Sequence, residues 1–141
     1  MRAGTRLACD VGSVRIGLAK SDPDGLIATP LEAVRAGDVE ALLAVVDEIE
    51  PVEVIVGLPL SLDGSEGPAA ARVRAWADDL ATRTAIPVRL CDERLTTVQA
   101  QRGLHEAGRT TRSSRSVIDS ASAVILLQAQ LDAGRAGGGW E

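Results

Sequence analysis

The sequence predicts an α/β fold, a mixed β-sheet carrying helices on its faces. Three observations predict it. Three strand-like segments follow one another at the start, strand and helix patterns then alternate, and two helix patterns close the chain. With 141 residues, 45% of them apolar, the chain can also bury a core without disulfides or a structural metal.

Residues 5–10 (TRLACD) read as the first strand. The turn-forming pair Gly12-Ser13 leads into a second over residues 14–21, so a hairpin is expected. Residues 25–34 give a third strand. Pro30 within it calls for an edge or irregular position, because proline donates no ladder hydrogen bond. Asp38 is placed to cap a helix with Leu42, Val45, Val46 and Ile49 at helical spacing, closed by Pro51. Residues 52–59 (VEVIVGLP) are mostly apolar, as a buried strand requires.

Turn chemistry at Asp63-Gly64 and Gly67-Pro68 separates that strand from a helix over residues 69–84. Its inner face is Val73, Trp76, Ala77 and Leu80. Residues 86–92 (IPVRLCD) are the fifth strand. Thr96 with Gln99 forms a capping box that opens a helix to about residue 107. Gly108 ends it, a polar and basic loop follows, and the last helix spans residues 114–131. Residues 1–133 are therefore expected to form a single domain, and residues 134–141 a flexible tail.

No apolar run approaches the roughly 20 residues of a membrane span, and the N-terminus lacks a signal-peptide core. A cytoplasmic protein without membrane contact is the expectation. Cys9 and Cys91 have no zinc spacing, His105 is the single histidine, and both thiols are expected to be reduced core residues.

A net charge of −5 argues against a nucleic-acid partner until its distribution is considered. Residues 1–85 hold eight basic and fourteen acidic residues, a balance of −6. Residues 86–115 hold six Arg against Asp92, Glu93 and Glu106, a balance of +3. That basic segment includes Arg112 and Arg115, and arginine grips phosphate bidentately.

Three acids stand out by position. Asp10 ends the first strand, Glu93 the fifth, and Asp119 lies near the start of a last helix that is apolar on nearly all sides. Such a helix is usually buried, and a buried carboxylate needs a partner or a metal. Oxygen ligands without His or Cys suit Mg²⁺ or Mn²⁺. Acids converging from two strand ends and a helix could hold two ions about 4 Å apart and support phosphodiester hydrolysis. Each acid also has an ordinary reading: Asp10 in a turn, Glu93 paired with Arg94 or Arg115, Asp119 favoured by the helix dipole. The segment DVGSVRIGLA offers a further option, a hairpin whose backbone N–H groups and Gly12 approach a phosphate.

The segments CDVGSVRIGLAKSD, VGLPLSLDGSEG, CDERLTTVQA and RSVIDSASAVILLQAQLD resemble the YqgF/RuvX family, Holliday-junction resolvase-like proteins and pre-16S rRNA nucleases. The resemblance spans about residues 5–132 and implies an RNase H-like fold: a five-stranded mixed sheet, the first three strands antiparallel, flanked by helices. It puts the catalytic, metal-binding triad on Asp10, Glu93 and Asp119, with Arg15, Arg94, Thr96 and Thr97 near the nucleic acid. The residue four before the last acid, usually Lys in that family, is Arg115, which keeps phosphate contact but not a proton-transfer role. The implied activity is metal-dependent endonucleolytic cleavage with Mg²⁺ or Mn²⁺. Its substrate would be the 5′ end of pre-16S rRNA or, alternatively, a branched DNA junction, on which a homodimer would be expected.

Two other classes compete. An ATP-binding, sugar-kinase-like protein needs two domains, for which 141 residues are too few. A non-catalytic nucleic-acid-binding module is disfavoured by the presence of all three acids.

Overall fold

The computed structural model describes residues 4–93 and 120–136. Five strands form one sheet: β1 (Arg6–Val11), β2 (Arg15–Ser21), β3 (Ala28–Arg35), β4 (Glu53–Leu58) and β5 (Val88–Asp92). Their spatial order is β3-β2-β1-β4-β5. The first three are antiparallel neighbours, whereas β4 pairs parallel with β1 and β5 parallel with β4. This is the expected mixed sheet. Pro30 sits on β3, an edge strand, where its missing N–H leaves no gap in the ladder.

Three helices are described: α1 (Val39–Ile49), α2 (Pro68–Arg83) and α3 (Ala121–Ala136). Asp38 caps α1 by accepting from the Ala41 N–H at 3.0 Å. Glu50 ends it in the left-handed region, φ 51°, ahead of Pro51. Leu42 and Val46 are its buried residues, and Val73, Ala77 and Leu80 those expected for α2. Trp76 is only partly buried, and Ala70, one turn before Val73, is fully buried.

Strand alternation divides the core between two faces. Leu7, Cys9, Ile16, Leu18, Val54 and Val56 meet α1 and α2. Ala8, Ala19 and Ile55 meet Leu126, Leu127 and Leu131 of α3 on the other. The alanines on that face let α3 lie close to the sheet. α3 continues to Ala136, past residue 131 where the sequence reading ended it and into the segment expected to be a tail. Ala133, Arg135 and Ala136 are good helix formers, and Gly134 among them costs about 1 kcal/mol, too little to end the helix. The helix expected over residues 96–107 lies outside the described residues.

Cys9 and Cys91 are both free thiols. Burial pushes them up to about 12 and about 11 respectively, which makes them inert packing residues. No helix among the described residues is long and apolar enough to cross a membrane.

Candidate active site

Parallel sheets present their binding crevice at the carboxyl ends of the strands, and β1, β4 and β5 share that end. Asp10 lies there on β1, opposite Gly17 of β2. On its other side Cys9 is paired with Val56, so Gly57 is the next residue of β4 in register. Glu93 follows β5 directly, and its N–H donates to the Leu58 carbonyl at 3.3 Å, extending the β4–β5 ladder. Asp10 and Glu93 both belong to the α3 face, since Cys9 next to Asp10 points to the α1 and α2 core, while Cys91, two residues before Glu93, packs on the α3 side.

Gly57 makes room for this arrangement. A β-carbon there would lie 2.5 Å from Glu93 Oε2 and 3.1 Å from Leu126 Cδ2. The Glu93 carboxylate therefore lies over β4, the strand that separates β5 from β1. Sequence reasoning missed Gly57, because its neighbours come from β5 and α3, far along the chain.

Electrostatics records how close the acids are. Burial raises the Asp10 carboxyl above its ordinary value. Glu93 is pushed up to about 7, first by burial, then by the charge of Asp10 and then by that of Asp92. Two half-buried carboxylates, each raised by burial and Glu93 also by the charge of Asp10, call for a cation. The donors are oxygens alone, which fits a hard divalent ion such as Mg²⁺ or Mn²⁺. Among the described residues no group of three or more His, Cys, Asp or Glu gathers as a metal site. Asp119, the third expected ligand, lies outside them.

Ser120, the next residue in the chain, is fully buried and firmly held. The β2–β3 register slips between Ile16 and Leu18, leaving one extra residue on β3. The Ser120 hydroxyl fills that bulge, accepting from the Leu18 N–H at 3.0 Å and donating to the Leu31 carbonyl at 2.7 Å. Eight residues further on, Gln128 accepts from the Ala28 N–H at 3.0 Å and donates to the Leu26 carbonyl at 2.9 Å. The start of α3 is thus pinned to β2 and β3, beside the carboxylate end of β1.

Arg15 begins β2 and stands opposite Arg35 of β3 at the same end of the sheet. Lys20 faces solvent opposite Leu7, at the far end of β1. The Gly12 N–H is not open to a phosphate as the hairpin reading allowed: it donates to the Arg15 carbonyl at 3.0 Å. A β-carbon on Gly12 would lie 2.7 Å from that oxygen, so this glycine serves the turn. Arg94, Thr96, Thr97, Arg112 and Arg115 lie outside the described residues.

Comparison with known proteins places this geometry in context. Residues 4–133 match the family RuvX, described as Holliday junction resolvase. A protein of Streptomyces avermitilis named putative pre-16S rRNA nuclease is 54% identical over 143 residues, covering 98% of this chain and 92% of that one. A Mycobacterium ulcerans protein of the same name is 56% identical over 134 residues, covering 92% and 79%. Among solved structures, Thermus thermophilus RuvC in complex with a Holliday junction substrate superposes with a TM-score of 0.59. It is 18% identical over 97% of this chain and 98% of the other, a likeness of fold.

Proposed function

The chain belongs to the RuvX family and is a nuclease that hydrolyses phosphodiester bonds, and from that premise we propose that it matures the 5′ end of pre-16S rRNA in a divalent-metal-dependent endonucleolytic cut. The observation that carries the reading is the Asp10–Glu93 pair, two half-buried carboxylates at the ends of β1 and β5 with Gly57 of the intervening β4 between them. Relatives above 50% identity over nearly the whole chain, named for pre-16S rRNA, support the substrate.

Asp10, Glu93 and Asp119 would hold the metal, either Mg²⁺ or Mn²⁺. When bound, it supplies an activated water and charge stabilisation at the leaving oxygen. The chain's own residues set the stage. β1 and β5 fix two carboxylates on a rigid sheet, and Gly57 keeps the space between them open. Burial and the charge of Asp10 raise the Glu93 carboxyl to about 7. Arg15, Arg94, Thr96, Thr97, Arg112 and Arg115 would hold the nucleic-acid backbone.

A branched DNA junction is the second reading, favoured by the family's description as Holliday junction resolvase. It would call for a homodimer matched to the two-fold symmetry of the junction. The deciding experiment compares cleavage of a precursor 16S 5′ end, a four-way junction and single-stranded RNA by the same purified protein. Preferential cutting of the precursor supports the proposal. Preferential cutting of the junction replaces it with the second reading.

A further inference from the structure

At the open end of the sheet, Arg15 and Arg35 face each other directly across β2 and β3. Like charges placed opposite one another in an antiparallel pair destabilise the sheet. The two residues next to them, Ile16 and Val34, pack into the α1 and α2 core. Arg15 and Arg35 therefore stand on the other face, the one that carries Asp10 and Glu93. With about 3.4 Å per residue along a strand and about 4.8 Å between strands, their α-carbons lie about 8 and 12 Å from that of Asp10.

The pair lines a groove of about 590 Å³, with Ser13, Val14, Ala36, Gly37 and Asp38 completing it. That volume lies within the roughly 300–1,000 Å³ of ordinary ligand sites. Its walls are fixed by backbone bonds, since the Ala36 N–H donates to the Val14 carbonyl and the Asp38 N–H to the Arg35 carbonyl, each at 3.0 Å. The one acid in the lining, Asp38, has its Oδ1 engaged as the cap of α1. Arg35 is exposed.

We propose that this groove holds a phosphate of the substrate strand other than the one being cut, with Arg35 as a backbone-binding residue beside Arg15. The proposal deepens the nuclease reading and rests on it. Two guanidinium forks converging on one groove match the bidentate geometry that phosphate oxygens accept.

The test is fluorescence anisotropy with a labelled RNA carrying the precursor 16S 5′ end, titrated between 50 and 200 mM KCl without divalent metal. Wild type is compared with Arg35→Gln, Arg35→Lys and Arg83→Gln, the last removing an arginine paired with Asp79 on α2. Arg35→Gln is expected to reduce the slope of log K against log salt by about 0.7–0.9, the loss of one phosphate contact. Its thermal midpoint should not fall. Arg35→Lys should keep the wild-type slope, as should Arg83→Gln. An unchanged slope in Arg35→Gln overturns the proposal, as does an equal drop in Arg83→Gln or a wild type that binds no RNA. Failure of the nuclease reading has a separate signature, RNA binding with normal slopes but no cleavage of any substrate.

Discussion

The carboxylate of Glu93 lies over Gly57, so close that a β-carbon at that position would stand 2.5 Å from Glu93 Oε2. This single contact ties three strands together at their carboxyl ends. β5 delivers the acid, β4 gives way beneath it, and β1 presents Asp10 beyond. The first prediction follows from it. Gly57→Ala forces Glu93 aside, since its other neighbour, Leu126 at 3.1 Å, belongs to a packed helix. A displacement of about 1 Å at a reacting centre can lower turnover about 100-fold. Single-turnover cleavage is expected to drop on that scale while circular dichroism stays native. Activity within a factor of about two of wild type would show that the Glu93 position is not critical.

The second prediction concerns pH. Glu93 is raised to about 7 from an ordinary 4.5, by burial first and by Asp10 next. A carboxyl raised by folding binds its proton more tightly in the native state. Its contribution to stability is full below pH 4.5 and is lost as pH rises through about 7. Glu93→Gln removes that loss. Its thermal midpoint should exceed that of wild type at pH 8 and match it near pH 4.5, while metal-dependent cleavage disappears. Equal midpoints at pH 8 would show that the charged carboxylate carries no strain there.

A third prediction isolates the bulge. Ser120→Ala leaves the Leu18 N–H and the Leu31 carbonyl without the hydroxyl that joins them. An unsatisfied buried polar group costs about 1–3 kcal/mol, and urea denaturation should show a loss of that size. Ser120→Cys should recover little of it, because a thiol is a weak donor and acceptor.

Glu53 supplies the fourth. Arg6, only 1% exposed, donates to Glu53 at 2.9 Å, and Arg89 reaches the same carboxylate at 3.2 Å. Burial alone would raise the Glu53 carboxyl, but the hydrogen bonds and charges of Arg89 and Arg6 together outweigh it and lower the carboxyl. Its stabilising effect is therefore present above pH 4.5 and fades as pH falls through the lower native value. Glu53→Gln leaves a buried guanidinium facing a neutral amide, and the expected loss at pH 7 is about 2–4 kcal/mol. The gap between variant and wild type should narrow in acid. A gap independent of pH would show that shape, not charge, holds this pair.

Much of this was legible in the chain because it depends on local pattern. Alternation marked the strands, Asp38 and Pro51 bracketed α1, and Pro30 pointed to an edge. The position of Asp10 and Glu93 at strand ends followed from where apolar runs stop. The residues that escaped notice depend on register between distant segments. Gly57 reads as an ordinary strand glycine until β5 and α3 are laid beside it. Ser120 reads as one small residue among several until the β2–β3 slip exposes the two groups it joins. Arg35 looks like a surface charge at a strand end, and only the pairing with Arg15 gives it a counterpart. The Gly12 hairpin was read in the right place but for a second purpose that the hydrogen bond to Arg15 removes.

The central claim is that Asp10 and Glu93 act together in a metal-dependent nuclease centre. It is tested most directly by single-turnover cleavage of a precursor 16S 5′ end, titrated with Mg²⁺ or Mn²⁺, for wild type and Asp10→Asn. The account predicts metal-dependent cutting by wild type and none by the variant, with the variant's thermal midpoint at or above that of wild type because a buried charge is gone. Asp10→Asn cutting as fast as wild type at saturating metal would contradict it.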